Sequence, residues 1–356
     1  MILGAYDSPR IKIGGVLYMA IRKCKLENFT VFDTLKMEFC NGINIFIGEN
    51  GTGKTHIMKV LYSACQASRK DISFSQKMVG VFKPDESNIN RLVKRGKGVA
   101  TALVEVYSES ASIKLKFSTK TNKWDALTTG ETNWEKQNDE LISTYIPAKE
   151  ILSNAYQFEA AYLKNNIDFD ETYVDIITAA KIDINRGPNP PQRKKYLDQL
   201  NGILKGSVTI DNEKFYLKPV TQAKLEFHLV AEGIRKLALL WQLIKNGTLE
   251  KGTILFWDEP EANLNPVVIP VLVDILLQLQ KDGVQIFIAT HDYILAKYFE
   301  VKVQPDNDIM FYSFYEDEQG KVRSEKNQYF RDLATNPIIR AFNNLLDQVI
   351  DKNVGD

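Results

Sequence analysis

The chain has 356 residues, of which 44% are hydrophobic and 25% are charged, and this composition is typical of a folded globular protein with one large α/β domain or two moderate ones. Its 45 Lys and Arg residues balance its 45 Asp and Glu residues, so no overall positive field indicates nucleic-acid binding, and only a local basic groove stays open. The three cysteines lack paired or metal-ligand spacing, and neither a signal peptide nor an apolar run of about 18 residues is evident, which predicts a cytoplasmic protein without a membrane domain.

The N-terminal part of the chain is predicted to lead through two strands into a third, buried one. Residues 1–18 are polar, are interrupted by Gly and Pro, and are predicted to form an N-terminal extension, which leaves open whether Met19 is the first residue. A strand-like run over residues 20–32 precedes a second strand over 34–39. The apolar run at 43–47 then indicates a buried strand.

A glycine-rich stretch follows this strand and precedes a segment with helical apolar spacing. Its residues are Gly48, Glu49, Asn50, Gly51, Thr52, Gly53, Lys54 and Thr55. Strand, glycine-rich loop and helix together predict a phosphate-binding loop (P-loop), in which backbone N–H groups point at phosphate oxygens. In such a loop Lys54 neutralises the β- and γ-phosphates and the Thr55 hydroxyl holds Mg²⁺. The alternative, a glycine turn without function, is disfavoured by this context.

The segment after the P-loop helix is predicted to return to the site through a core strand. Residues 68–98 are polar and contain a basic cluster of Arg91, Lys94, Arg95 and Lys97. Two alternating runs, 102–107 and 112–118, predict an antiparallel hairpin. A third run, 141–147, predicts the core strand.

The next part of the chain is predicted to be mainly helical. Residues 149–182 have helical spacing with a break near 165–170, and a loop at 187–191 precedes a short helix over 192–204. Residues 208–217 predict a hairpin with Asp211 and Asn212 at its turn. No repeat and no sustained heptad pattern indicates a long coiled coil.

A second set of candidate site residues ends a later apolar run. The residues 253–257 predict a parallel strand, and Asp258 and Glu259 follow at its carboxyl end, which places them beside the P-loop. Asp258 is predicted to complete the Mg²⁺ shell, and Glu259 to orient and deprotonate an attacking water. The alternative, two solvated acids that cap a strand before a Pro turn, leaves the tandem unexplained.

A third candidate is His291, one of three histidines in the chain. It follows another apolar strand, 284–289, and so lies where a γ-phosphate contact is needed. A structural role is the commoner one for a single histidine, but this position favours function. The remaining tail predicts a strand over 309–315 and a closing helix over 333–350.

These motifs and their spacing resemble the ABC-type ATPase superfamily, and more narrowly the branch that contains SMC, Rad50, RecF and the overcoming-lysogenization-defect (OLD) ATPases. The resemblance covers about residues 19–315 and is carried by GENGTGKT, by LFWDEPEANLNP and by IFIATHD. The segment VAEGIRK stands where the family places its signature, and Lys54 and Asp258 lie 204 residues apart. AAA+ proteins have these motifs much closer together, and a transporter nucleotide domain is disfavoured because its usual signature and glutamine loop are missing.

The resemblance implies an α/β fold, a P-loop NTPase with an ABC-type ATPase head. This fold has a mixed sheet core, an antiparallel β lobe and a helical insertion. On the sequence, the ATPase core is assigned to residues 19–148 and 219–356, with the β lobe at about 98–127. The insertion is assigned to residues 149–218.

The resemblance further implies ATP and Mg²⁺ as cofactors and a homodimer, or a higher even oligomer, that sandwiches two ATP molecules. Each ATP would lie on the P-loop of one chain and under the signature residues of the other, here Ala231, Glu232, Gly233 and Arg235. Ala231 replaces the usual serine, and Glu232 is an acid beside an expected anion. Arg235 either adds charge or is a solvated helix residue, and Pro147 ends the strand where the family's glutamine loop begins.

The sequence therefore predicts an ATPase that hydrolyses the phosphoric anhydride bond. Its proposed role is to gate a separately encoded effector such as a nuclease or toxin, docked through residues 149–204, in anti-phage defence. Only 65 residues follow His291, too few for the Toprim nuclease that OLD relatives carry. The alternative is a RecF-like, ATP-controlled DNA clamp in repair or recombination, which the neutral charge and the lack of a coiled coil make the weaker hypothesis.

Overall fold

A computed structural model describes residues 20–139, 141–164, 167–184 and 190–354. The predicted N-terminal extension, residues 1–18, lies outside this part of the chain. So do residues 187–189 of the predicted loop and residues 165–166 of the predicted helix break. Within the described ranges no helix is both long and apolar enough to cross a membrane.

The structure contains three sheets and ten α-helices in its described part. The strands are β1 (Ile21–Phe29), β2 (Phe32–Glu38), β3 (Ile43–Gly48), β4 (Thr101–Ser108), β5 (Ser112–Ser118), β6 (Leu127–Thr129), β7 (Ile142–Ile146), β8 (Gly206–Asp211), β9 (Lys214–Pro219), β10 (Leu225–Glu226), β11 (Thr253–Asp258), β12 (Gln285–Ala289), β13 (Ile309–Glu316) and β14 (Val322–Asn327). The helices are α1 (Lys54–Gln66), α2 (Phe74–Phe82), α3 (Glu131–Gln137), α4 (Phe158–Leu163), α5 (Glu171–Lys181), α6 (Pro191–Leu204), α7 (Glu232–Lys245), α8 (Ile269–Lys281), α9 (Tyr293–Lys302) and α10 (Pro337–Val354).

The central element is a mixed six-stranded sheet with the order β14-β13-β3-β12-β11-β7. Five of its strands are parallel, and β14 pairs antiparallel with β13 at one edge. The strand β3 therefore lies beside β12, and β12 lies beside β11. Because parallel strands end at the same edge of a sheet, the segments that follow β3, β11 and β12 meet there. This confirms the predicted mixed-sheet core.

Side chains of the central strands alternate between two buried clusters, one on each face of the sheet. On β11, Leu255 and Trp257 belong to one cluster, whereas Ile254 and Phe256 belong to the other. The helices α5 to α9 contribute to the first cluster. The other cluster contains residues of α1 and α2 and of the strands β1, β2, β4 and β5. A parallel sheet covered on both faces explains why its strands are apolar without interruption.

The second sheet is an antiparallel β lobe with the order β2-β1-β4-β5-β6. The predicted hairpin of β4 and β5 is confirmed, with Val104 opposite Leu115. The strand β1 also pairs with β4, a long-range contact that the sequence pattern did not predict. The stretch 68–98, which is polar in sequence and carries the basic cluster, also contains the unpredicted helix α2, whose Met78 and Val81 are buried.

The segment between β7 and β11 carries the predicted helices and hairpin. The helices α4 and α5 lie on either side of the expected break, and α6 follows. The hairpin of β8 and β9 turns at Asn212 and Glu213, one residue later than expected, since Asp211 still pairs with Lys214. The two turn residues adopt positive φ angles of 47° and 63°. A two-residue turn of this conformation matches the twist of the strands. The strand β10 extends this hairpin to a three-stranded sheet.

The C-terminal part differs in detail from the prediction. The strand β13 is confirmed, but it pairs with the unpredicted β14. The closing helix α10 begins at Pro337 rather than at 333. At 18 residues it is the longest helix in the described part of the chain, which accordingly contains no long coiled coil.

Candidate active site

The P-loop connects β3 to α1 and requires glycine at both of its ends. Gly48 has a φ of 142°, and a Cβ there would lie 2.2 Å from the Phe314 carbonyl oxygen. Gly53 has a φ of 88°, and its Cβ would lie 2.5 Å from Cζ of Phe32. A side chain at either position would clash with its neighbours in a backbone conformation that L-residues rarely adopt. The glycines thus let β3, the loop and α1 pack closely.

The other loop residues form a short, internally bonded turn. Glu49, Asn50 and Gly51 are exposed at its tip. The Thr52 hydroxyl donates a hydrogen bond to the Glu49 carbonyl oxygen at 2.8 Å and is buried. The loop therefore holds its shape through its own contacts.

Lys54 is the first residue of α1 and is buried against the loop. Its ammonium donates hydrogen bonds to the carbonyl oxygens of Gly48 and Glu49, both at 2.8 Å. Burial lowers the pKa of Lys54 to about 8, although nearby carboxylates, Asp258 first among them, favour its charged form. With this pKa the lysine is mainly a cation at pH 7.

Thr55 and Asp258 come together although they are far apart in the sequence. The Thr55 hydroxyl donates to the Asp258 carboxylate at 3.0 and 3.3 Å. Asp258 is 8% exposed, and burial raises its pKa to about 6, while the bond from Thr55 favours the ionised form. A hydroxyl and a carboxylate are the oxygen donors that Mg²⁺ prefers, so this pair fits that ion.

Tyr145 also reaches this carboxylate and was missed by the sequence analysis. Its hydroxyl donates to Asp258 Oδ2 at 3.4 Å. The register of β7 against β11 places Tyr145 opposite Phe256, two residues before Asp258 on the same face. The sequence signal that could have identified Tyr145 is its position in the predicted core strand at 141–147, together with the alternation of side chains along such a strand.

Glu259 and His291 face each other at the end of the sheet. The distance from His291 Nε2 to Glu259 Oε1 is 3.5 Å, and both side chains are more than one-third exposed. His291 Nδ1 lies 3.1 Å from the Gly48 carbonyl oxygen. Because a carbonyl oxygen only accepts, Nδ1 carries the proton. Burial lowers the pKa of His291, as does the charge of Lys54, so the neutral ring presents the lone pair of Nε2 towards Glu259.

Glu261 contacts Thr290 and the backbone of His291, and it was not among the sequence candidates. Its Oε1 accepts a hydrogen bond from the Thr290 hydroxyl at 2.6 Å and from the His291 backbone N–H at 3.4 Å. Its Oε2 is buried and has no hydrogen-bond partner in the described part of the chain. Burial raises the pKa of Glu261 to about 7.

The replacement Glu261→Gln is expected to stabilise the fold above pH 7. The pKa of Glu261 rises from 4.5 to about 7 on folding, so the folded chain binds the extra proton between these values and stability falls as the pH rises through them. The amide removes this loss, which is at most about 3 kcal/mol. Urea unfolding at pH 5 and pH 8 measures it, with the exposed Glu226→Gln as control. Parallel pH dependences of the wild type and Glu261→Gln would contradict the assignment.

The signature-like segment packs against the loop that follows β11. Ala231 precedes the first helical residue of α7, Glu232, and its side chain makes no capping bond. A Cβ at Gly233 would lie 2.3 Å from the Asn263 carbonyl oxygen, so glycine permits the close approach of α7 to this loop. No hydrogen bond or ion pair joins residues 231–235 to the P-loop within the described residues.

Arg235 is engaged inside its own chain. Its Nε donates to Glu150 Oε2 at 2.5 Å, and its Nη1 donates to the Val230 carbonyl oxygen at 2.6 Å. The arginine side chain is 15% exposed, and that of Glu150 is almost fully buried. The interpretation of Arg235 as a solvated helix residue is therefore wrong. The ion pair ties the start of α7 to the segment after β7.

An open cavity of about 690 Å³ adjoins these groups. Its wall includes Glu49, Glu259 and His291 on the side of the sheet, and Phe342 on α10. The Phe342 ring stacks on Tyr293 with centroids 4.0 Å apart. The start of the P-loop (residues 48–50), Glu259 and His291 thus line a common space. Lys54, Thr55, Asp258 and residues 231–235 are not part of its wall.

A sequence profile of a protein family described as "AAA domain, putative AbiEii toxin, Type IV TA system" matches residues 43–296. This range contains the P-loop, both acids and His291. More than half of the chain is covered.

Curated RecF proteins from two bacteria resemble a part of this chain. The DNA replication and repair protein RecF of Lysinibacillus sphaericus is 31% identical over 81 residues, which are 23% of this chain and 22% of RecF. RecF of Listeria welshimeri is 28% identical over 85 residues, 24% of this chain and 23% of RecF. The matches span less than a quarter of these curated relatives.

Solved structures resemble nearly the whole chain. An SMC head bound to the C-winged helix domain of ScpA has a TM-score of 0.56 at 12% identity and covers 88% of this chain and 99% of that one. An SMC head with an extended coiled coil, bound to the C-terminal domain of ScpA derived from Pyrococcus furiosus, has a TM-score of 0.52 at 10% identity and covers 93% and 99%. At these identities the likeness concerns the fold.

Proposed function

The chain belongs to the AAA-domain family whose profile it matches and has the ABC-type ATPase head fold of the SMC and RecF branch, and we propose that it hydrolyses ATP with Mg²⁺. The observation that carries this proposal is the contact of Thr55 with Asp258 at 3.0 Å. It joins the two halves of the site, with Lys54 on one side and Glu259 on the other.

The loop residues account for binding of the triphosphate. The backbone N–H groups of residues 48–55 and the N-terminus of α1 attract phosphate oxygens. The Lys54 ammonium exchanges its bonds to the Gly48 and Glu49 carbonyl oxygens for bonds to the β- and γ-phosphates. Thr55 and Asp258 would hold Mg²⁺, which when bound would neutralise charge on the phosphates.

Glu259 acts as the general base in this proposal. The water oxygen bonds to the γ-phosphorus, the bond from that phosphorus to the β,γ-bridging oxygen breaks, and the water proton passes to the Glu259 carboxylate. In the neutral form described above, His291 Nε2 accepts a hydrogen bond from the same water. A hydrogen bond donated by His291 to the γ-phosphate would instead require the proton on Nε2. The contact of Nδ1 with the Gly48 carbonyl oxygen therefore favours the role of acceptor from water over the role of donor to the phosphate.

The test of the hydrolysis proposal is phosphate release by the purified chain. We expect release with Mg²⁺ and ATP and none with excess EDTA. An activity that persists without divalent metal, or that survives the loss of Lys54, would contradict the proposal.

We further propose a head-to-tail homodimer that sandwiches two ATP molecules. A site shared between two copies is self-complementary about a two-fold axis, so each closure forms two composite sites. Ala231, Glu232 and Gly233 at the start of α7 would face the ATP of the second copy, with backbone N–H groups in place of a serine hydroxyl. Arg235 supports this helix through Glu150 rather than through the phosphate.

The proposed biological role is to gate a separately encoded effector, such as a nuclease or toxin, in anti-phage defence. The description of the matched family names a putative toxin of a type IV TA system, which supports an effector of the toxin kind. The docking surface is assigned to residues 149–204.

The purified chain should not cleave plasmid, linear DNA or RNA with Mg²⁺ or Mn²⁺. Cleavage that survives Glu259→Gln would place the effector inside this chain.

A second candidate is an ATP-controlled DNA clamp, favoured by the local likeness to RecF. The face of the β lobe that points away from the core carries Lys23, Lys25, Lys36, Lys114 and Lys116. Lys36 and Lys116 are exposed and make no ion pair within the described residues. Electrophoretic mobility shift with and without ATP, repeated on Lys36→Glu with Lys116→Glu, tests this candidate.

A further inference from the structure

Lys236 is a buried cation that the nucleotide site does not use directly. It lies in the second turn of α7 and is 1% exposed. Its ammonium donates a hydrogen bond to the Glu259 carbonyl oxygen at 3.1 Å. No carboxylate of the described residues lies within ion-pair distance of its ammonium. Burial lowers the pKa of Lys236, and the charge of Glu261 opposes this lowering in part. A buried charge without an ion partner is costly, so its presence calls for a specific role.

The residue that Lys236 contacts has an unusual backbone. Glu259 has a φ of 47°, a left-handed conformation that is unfavourable for any residue with a Cβ. Its backbone N–H donates to the Ala289 carbonyl oxygen at 2.9 Å, and its carbonyl oxygen accepts from Lys236. The same carbonyl oxygen also accepts from the Ala262 backbone N–H at 3.1 Å. Both peptide groups that flank the Glu259 Cα are therefore held, one by β12 and the other by α7 together with the local turn.

This backbone conformation directs the Glu259 side chain. With both flanking groups fixed, the carboxylate lies 3.5 Å from His291 Nε2, on the wall of the cavity. Without the Lys236 bond, the carbonyl oxygen would keep only the Ala262 backbone N–H, at 3.1 Å within its own turn, and the strained residue could relax towards a right-handed conformation. The carboxylate would then leave the position of the attacking water.

We propose that Lys236 is a positioning residue that holds the general base Glu259 in its left-handed conformation. This inference rests on the proposed role of Glu259 in hydrolysis. Lys236 acts through the Glu259 backbone and not through the phosphates, so it should affect the rate of the chemical step and leave ATP affinity unchanged. It also makes α7 a support of the base in its own chain.

The test is Lys236→Met, which keeps the length of the side chain and removes its charge and donor. Turnover at saturating ATP should fall at least about ten-fold, while the Kd for ATP stays within about two-fold of the wild type. Turnover is divided by the number of nucleotide-binding sites, so that unfolded protein does not count. Lys236→Arg, which retains a cationic donor, should keep more turnover than the Met variant.

Lys77→Met is the matched control. Lys77 is also a buried lysine, but its ammonium pairs with Glu171 and Asp175 on α5. The same chemical change there should lower the melting temperature and leave turnover per site within about two-fold. A loss of turnover in both variants would mean that any buried lysine matters equally and would overturn the proposal.

A double-mutant cycle separates positioning from general damage. In the Glu259→Gln background, Lys236→Met should have no further effect on the residual rate, because there is no base left to position. Wild-type turnover in the single variant, or an equal loss in both backgrounds, would overturn the proposal. A wild-type chain that binds ATP and releases no phosphate would instead remove the proposed function, and the role of Lys236 with it.

Discussion

Replacing Lys54 by Ala is expected to abolish ATP binding. The lysine brings a cation against several phosphate charges, at a buried position where a charge-assisted hydrogen bond is strong. We expect the Kd for ATP to rise by about two orders of magnitude or more, as measured by titration with a fluorescent ATP analogue. The Gly48 and Glu49 carbonyl oxygens keep His291 Nδ1 and the Thr52 hydroxyl as donors, so the variant should fold.

Lys59→Ala is the matched control for this prediction. Lys59 lies on the same helix, α1, but its ammonium bonds to Asp170 and to the Val81 carbonyl oxygen. The replacement Lys59→Ala removes the same charge as Lys54→Ala and should change the Kd for ATP only a few-fold. A Lys54→Ala variant that bound ATP within about ten-fold of the wild type would contradict the assignment of the P-loop lysine.

The second large effect is expected for Glu259→Gln, which should bind ATP and fail to hydrolyse it. The amide fills the same space, but it cannot accept the proton of the attacking water. Turnover should fall by two to four orders of magnitude, a range typical of a lost general base, with the Kd unchanged. Bound nucleotide recovered after gel filtration should be ATP rather than ADP.

Glu226→Gln is the control for this replacement, because it makes the same chemical change at an exposed acid on β10 that lies outside the P-loop cavity. This variant should hydrolyse ATP, and the recovered nucleotide should be ADP. A Glu259→Gln protein with wild-type turnover would mean that another group takes the proton.

The parts of the site that follow from the sequence are those fixed by one strand and the loop after it. The sequence places the P-loop with Lys54, Asp258 and His291 each at or shortly after the end of a buried apolar run, and parallel strands bring such positions to one edge of a sheet. The structure brings these residues together as that rule requires. Their roles in catalysis stay predictions, as do the domain boundaries.

The supporting contacts could not be predicted in the same way. Tyr145, Lys236 and Glu261 depend on which strand or helix packs beside which loop, and no local spacing encodes that choice. Arg235 illustrates the difficulty, because its partner Glu150 lies 85 residues away. The pairing of β1 with β4 likewise joins segments that are separated by the P-loop, α1 and α2.

Helix α2 escaped detection for a different reason. Its buried residues include Ser75 and Lys77, and the lysine is neutralised by acids on α5 rather than by solvent. Phe74, Met78 and Val81 do recur at helical spacing, but the helix has only nine residues and lies within a polar stretch. So short a pattern does not by itself separate a helix from a loop.

The most direct test of the central claim, an ATP-sandwiched dimer, is the sedimentation of Glu259→Gln with and without ATP and Mg²⁺. The chain has a mass of 40.6 kDa. We expect this mass without nucleotide and twice this mass with Mg²⁺ and ATP, with one ATP bound per chain. A species of 40.6 kDa that carries ATP at micromolar protein concentration would contradict the account.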